Sequence, residues 1–248
     1  MKIHQAVLKL RREGKHQFAI DVAALKRLQP NLVITQTLCA ICAASHAEVT
    51  EALREVSPPP RLLSMEAQTL AEVLEEIRKI GSMTGREKAA QRLIQQLKRR
   101  IDRIQRLVAK AEDQPRVWCC EWLEPLMAAG HWVPELVSLA GGRDRLGSQG
   151  AASSWLTWEQ VRRYNPEVII VMPCSYSIRQ SMRERRRLTG RPGWNALSAV
   201  RQGRVFAVET SFFHRAGPRL VNGLELLAHL LHPDLVPAPR QRGLYRPF

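Results

Sequence analysis

The chain has 248 residues, 45% of them apolar, and a formal net charge of +15. It is long enough for one large domain or two small ones and too apolar for a disordered chain. No stretch approaches the ~18 uninterrupted apolar residues of a membrane span. Five cysteines, two of them adjacent (Cys119 and Cys120), argue against a complete disulfide framework.

In chain order, the amino-terminal "MKIHQAVLKLRREGKHQF" is basic but holds no apolar run of export-signal length. As written, the chain is expected to stay in the compartment where it is made, the cytoplasm. Next comes "DVAALKRLQPNLVITQ" (21–36), which matches "TWEQVRRYNPEVIIVM" (157–172) without a gap at a constant offset of 136. Pro30 falls on Pro166, Arg27 on Arg163, and Leu32 and Ile34 on Val168 and Ile170. Each copy reads as an amphipathic helix stopped by a proline, then a short buried strand. A weaker echo joins "RLLSM" (61–65) to "RVFAVE" (204–209), each an apolar strand after a turn-forming stretch. Strands alternating with helices predict parallel sheets with covered faces, and the repeat predicts two related α/β lobes.

Between the lobes, Leu93, Leu97, Ile101, Ile104 and Val108 recur at spacings of three and four. They predict one amphipathic helix entered after Gly85 and closed before Pro115, about 40 Å long at 1.5 Å per residue. Such a connection is stiff, unlike a Gly/Ser linker. The expected organisation is an α/β lobe over 1–84, a linking helix over 85–114 and a second α/β lobe over 115–248.

In parallel α/β lobes ligands sit beyond the carboxyl ends of the strands. Those ends here are rich in aromatic residues. Trp122, His131, Trp132, Tyr176, Phe212 and Phe213 are expected to line a cleft suited to a large, flat, partly apolar ligand, the alternative being that the tryptophans fill the core between the lobes. Gln36 and Cys39, after the first strand, complete the candidate ligand-binding set. Cys39 and Cys42 form a lone C-x-x-C, and Cys174 lies one position from the repeat equivalent of Cys39 (174 − 136 = 38). Small buried thiols explain them more simply than a redox or metal site. His131 and His214 stand in strand-end loops and could reach a bound metal centre. No G-x-S-x-G, P-loop or G-x-G-x-x-G is present, so nothing points to catalysis or to a catalytic metal. The charge concentrates in "RLIQQLKRRIDRIQR", "RQSMRERRRLTGR" and "PRQRGLYRP". Such runs are usually solvated faces, so a nucleic-acid-associated protein remains a third reading and no nucleic-acid partner is expected.

Five segments carry a resemblance: "LKRLQPNLVITQTLCAICAAS", "EWLEPLMAAGHWVPELVSLAGG", "NPEVIIVMPCSYS", "PGWNALSAVRQGRVFAVE" and "HRAGPRLVNGLELLAHLLHP". Taken in order over nearly the whole chain, they resemble the cobalamin-binding branch of the iron-siderophore and cobalamin substrate-binding proteins of ABC importers. The resemblance implies two Rossmann-like lobes on a rigid backbone helix, the class III, helical-backbone metal receptor type. It implies a monomer in the periplasm or cell envelope that binds a corrinoid such as cobalamin and docks on a permease, with no catalytic cofactor. An intracellular tetrapyrrole or metal-chelate handling protein of the same fold is the alternative. Family docking uses one acidic residue per lobe; the positions that match are Glu48 and His214, so the second acid is replaced. The family's leading strands have no counterpart ahead of residue 21, so the first lobe is expected to be truncated, through a start codon placed too far downstream or a genuinely shortened product.

Overall fold

The computed structural model describes residues 19–37 and 44–248. Cys39 and Cys42 lie outside the described residues. The chain divides into two compact units, residues 1–67 and 68–248.

In the first unit, helix α1 (Val22–Leu28) is started by Asp21, whose carboxylate accepts the Ala24 amide at 2.8 Å. It ends at Gln29 in the left-handed conformation, φ 43°. Strand β1 (Leu32–Gln36) follows, then α2 (His46–Arg54), opened by a capping box between Ser45 and Glu48, then β2 (Arg61–Met65). β1 and β2 pair in parallel, Val33 opposite Leu62. Val49, Leu53 and Val56 form a small core on which Leu25, Val33 and Leu62 pack.

The second unit opens with α3 (Leu70–Met83) and α4 (Glu87–Val108), antiparallel neighbours. Gly81 is what lets them close: a Cβ there would stand 2.4 Å from that of Ala90, inside contact distance. Because α3 packs on α4, it belongs to the second unit, and the division falls after Ala67 instead of after residue 84. The long helix exists as expected but is shorter. Its last turn tightens through Lys110 N–H to Leu107 and Ala111 N–H to Val108, so it ends at Val108, well before Pro115. Its 22 residues span roughly 33 Å. Arg100 ties it to the last helix, α10 (Leu220–Leu231), through both oxygens of Glu225 (2.9 and 2.7 Å) and through Asn222 (2.6 Å).

The body of this unit is a six-stranded mixed sheet. Its elements are β3 (Val117–Leu123), β4 (Leu126–Ala128), α5 (Val133–Leu139), β5 (Ser154–Trp155), α6 (Trp158–Tyr164), β6 (Val168–Val171), α7 (Ile178–Arg183), α8 (Arg186–Thr189), α9 (Ser198–Arg201), β7 (Val205–Val208), α10 and β8 (Tyr245–Pro247). Strand order is β5-β4-β3-β6-β7-β8. The centre, β3-β6-β7, is parallel; β4, β5 and β8 extend it antiparallel. Where β3 and β6 pair in parallel they are apolar and fully buried, as a sheet covered on both faces requires: Val168 to Val171 and Val117 to Cys120 show no exposure.

The internal repeat survives in three dimensions. α6 starts at the Thr157 cap, 136 residues after Asp21, and ends at Asn165, φ 47°, 136 residues after Gln29. The strand that follows begins 136 residues on, at Val168. The partner strand also keeps register: Val33 faces Leu62, and its repeat mate Ile169 faces Val205.

Candidate functional site

The carboxyl ends of β3, β6 and β7 form one stitched edge. Glu121 carbonyl accepts the Cys174 amide (3.1 Å), Thr210 hydroxyl donates to Tyr176 carbonyl (2.7 Å), and Trp132 indole N–H donates to Phe213 carbonyl (2.6 Å). A second thread runs from Gly130 N–H to Ser153 Oγ (3.1 Å), whose hydroxyl donates to the Glu121 carboxylate (2.8 Å). Loops fastened at this many points hold their side chains in place.

Two local features build the edge. β3 runs on to Leu123 and turns at Glu124-Pro125 into β4, so Trp122 is a strand residue, not a loop residue. Trp122 pairs with Met127 across the hairpin and is half-buried, its indole N–H on Glu124 carbonyl at 3.1 Å. After β6, Ser175 takes a left-handed conformation, φ 64°, inside the turn that brings Tyr176 back toward the sheet. Tyr176 meets Trp122 edge to face, centroids 5.5 Å apart. Burial and the Glu184 carboxylate raise its phenol pKa, against the Arg187 guanidinium.

His131 is the other backbone special of the site, at φ 53°. Among the described residues only four non-glycines are left-handed: Gln29 and Asn165 close the repeated helices, and His131 and Ser175 stand here. The first pair closes helices, and the second stands in the turns that shape this edge. His131 Nδ1 lies 2.6 Å from Gln68 Oε1. An amide oxygen only accepts, so Nδ1 carries the proton and the lone pair sits on Nε2. Burial lowers the ring's pKa, favouring the neutral form.

The remaining residues singled out in the sequence separate from these. Trp132 (3% exposed), Phe212 (6%) and Phe213 (1%) are core, with no face left for a ligand, and Trp132 spends its indole proton on Phe213. His214 is half-buried, yet both ring nitrogens are sealed from solvent without a hydrogen-bond partner. Burial pushes its pKa down to about 4, so it is neutral at pH 7 and offers no docking charge. Glu48 is half-buried and its carboxylate takes the Ser45 amide at 2.7 Å, closing the α2 capping box. Gln36 ends β1, half-buried. The thiols of Cys119 and Cys120 are fully buried and pushed up in pKa by desolvation, which makes them inert packing groups. Cys174 is half-buried, its sulfur 3.8 Å from Ser175 Oγ. No three His, Cys, Asp or Glu side chains among the described residues gather around a metal-sized space, and no described helix is long and apolar enough to cross a membrane.

Sequence reasoning missed the parts that set the edge. Gln68, which fixes the His131 tautomer, and Ser153, which links Gly130 to Glu121, come from distant segments, and nothing in their neighbours announces the contact. Gly130 carried a usable signal: a Cβ there would stand 2.3 Å from Ala151 carbonyl oxygen, so only glycine fits.

Residues 14–210 match the family model described as "Periplasmic binding protein". The chain is 24% identical over 224 residues to an uncharacterised ABC transporter substrate-binding lipoprotein of Bacillus subtilis, YvrC, covering 87% of this chain and 66% of that protein. It is also 24% identical over 222 residues to a vitamin B12-binding protein of Vibrio cholerae, covering 88% of this chain and 74% of the relative. Among solved structures it is similar to Staphylococcus aureus IsdE complexed with heme, with a TM-score of 0.71 at 18% identity, covering 86% of this chain and 81% of that one. That likeness concerns the fold, a mixed α/β arrangement of the class III type.

Proposed function

The chain belongs to the periplasmic binding protein family, and from that premise we propose that it is the substrate-binding component of an ABC importer, binding a corrinoid-like metal chelate without chemical turnover. The observation that carries the reading is the Trp122–Tyr176 pair. Two aromatic rings meet edge to face at the carboxyl ends of the parallel central strands, half-buried and held by loops tied to one another. A flat macrocycle covers such a surface well, since an aromatic face contributes on the order of 1 kcal/mol beyond the area it buries. His131, neutral with its Nδ1 proton held by Gln68, offers its Nε2 lone pair as a hydrogen-bond acceptor or metal ligand. Relatives whose names state vitamin B12 binding, and a structural neighbour holding heme, fall in the same ligand class.

On this reading the protein delivers its ligand to a membrane permease from the extracytoplasmic side. Glu48, acidic and on the first turn of α2, is the docking residue of the first unit, and Gln36, at the end of β1, and Cys39 remain its candidate ligand-binding residues. The test is a titration of the protein with cyanocobalamin followed by visible absorbance and tryptophan fluorescence. Saturable quenching with a shifted corrinoid band is expected. An unchanged spectrum with cyanocobalamin, dicyanocobinamide and heme alike would overturn the assignment.

A further inference from the structure

The edge that carries Trp122 and Tyr176 is bordered by an excess of unpaired arginines. Between Arg179 and Arg191 the chain holds six arginines and a single acid, Glu184. Two of the six are committed: Arg187 to Glu184, and Arg191 to Glu124 at 2.6 Å while its guanidinium lies 5.7 Å from the Trp158 ring centroid. Arg179, Arg183, Arg185 and Arg186 are exposed and have no ion pair or hydrogen bond from their side chains among the described residues.

These four lie on the segment that leaves the site after Tyr176, in α7, in α8 and in the turn between them. α7 begins two residues after Tyr176 and packs against β7, and the Arg187 guanidinium acts electrostatically on both Tyr176 and Glu124. The loop after β7, joined to Tyr176 through Thr210, adds two more exposed arginines, Arg215 and Arg219.

The acids of the edge offset only part of this charge, being four against eight arginines, and each already holds a partner. Glu121 accepts from Ser153, Glu124 holds Arg191, Glu184 holds Arg187 and Glu209 accepts the Ser211 amide. Stability does not ask for such a cluster. Arg179 and Arg183 stand at i and i+4 on α7, a like-charge spacing that destabilises a helix. A positive rim around an aromatic platform instead matches a ligand with a flat body and an anionic periphery, since guanidinium recognises carboxylate with matched geometry.

Resting on the corrinoid-like reading above, we infer that the ligand carries several free carboxylates on its rim, in contrast to a fully amidated, uncharged macrocycle. The test compares two probes with the same dicyano-corrin ring: dicyanocobyrinic acid, whose peripheral groups are carboxylates, and dicyanocobinamide, whose groups are amides. At low ionic strength the acid is expected to bind about tenfold or more tightly than the amide, an advantage that shrinks in 0.5 M salt. A variant with Arg179→Gln, Arg183→Gln, Arg185→Gln and Arg186→Gln should lose that advantage while binding the amide probe as the wild type does, which also shows that it is folded. Equal or tighter binding of the amide by the wild type overturns the inference and leaves the corrinoid reading standing. So does an acid preference that survives unchanged in the variant. If neither probe binds, both readings fall together.

Discussion

The two copies of the internal repeat share a backbone and differ in their surroundings. Residues 21–36 and 157–172 start on capping side chains, stop on left-handed residues and feed parallel strands in equivalent register. Yet Ile34, in the middle of β1, is 46% exposed, while its mate Ile170 in β6 is fully buried. β6 runs between β3 and β7, whereas among the described residues β1 pairs with β2 alone. Local signals therefore set the conformation of both copies, and the number of neighbouring layers sets how much each residue matters to stability.

The largest expected effect follows directly. Ile170→Ala should cost about 3–4 kcal/mol, a large-to-small change in a closed core, while Ile34→Ala should cost under about 1 kcal/mol. Urea denaturation of the two variants measures the contrast, and similar losses would mean that the two strands are equally enclosed.

Next in size is a pH effect confined to the second unit. Asp144 accepts amides from Leu146 and Gly147 through one oxygen, but its other oxygen is buried without a partner, and burial lifts its pKa from 3.8 to about 6. The folded state thus holds this proton more tightly than the unfolded chain, and the contribution of Asp144 to stability is lost as pH rises through about 6. His214 acts in the opposite sense. Its pKa falls from 6.5 to about 4, so its contribution is lost as pH drops through that interval. The two slopes largely cancel in the wild type. Asp144→Asn, which keeps the acceptor, should expose a rise in stability of about 2–3 kcal/mol from pH 4 to 6.5, and His214→Phe a fall of similar size. Thermal melts of both variants across that range check the signs; parallel curves for wild type and variants would show that neither group is sealed off.

The smallest effect separates the two helix stops. Gln29→Gly should stabilise by a few tenths to about 1 kcal/mol, because glycine takes φ 43° without the Cβ penalty. Asn165→Gly should gain nothing, because Asn165 Oδ1 also accepts the Ser198 amide at 2.9 Å and glycine forfeits that bond. Equal melting shifts for the pair would erase the distinction.

The same division between local and distant causes explains what could be read in the sequence. The repeat, the alternation of helix and strand and the α4 stripe were legible because caps, prolines and apolar spacing act within a few residues. The β3–β4 turn was not: Leu126, Met127 and Ala128 carry no β-branched residue and follow Pro125, so they resemble a loop, and Trp122 was placed outside its strand. The tryptophans of "CCEWLEPLMAAGHW" look alike in one dimension. Only the distant Phe213 makes Trp132 a core residue, and only the turn at Ser175 brings Tyr176 to Trp122. His214 likewise falls at a docking position through the family resemblance, whereas its burial depends on packing that no neighbour in the chain reveals.

The central claim, that the Trp122–Tyr176 edge binds the ligand while Trp132 only supports it, is tested most directly by calorimetry of cyanocobalamin binding to Trp122→Ala and Trp132→Phe, each paired with a melting curve. Trp122→Ala should lose about tenfold in affinity, on the order of 1.4 kcal/mol, with little change in melting temperature. Trp132→Phe, which removes the indole N–H from Phe213 carbonyl, should melt earlier by the equivalent of about 1–2 kcal/mol and keep its affinity. The reverse pattern, with Trp122→Ala melting early at full affinity and Trp132→Phe failing to bind, would contradict the account.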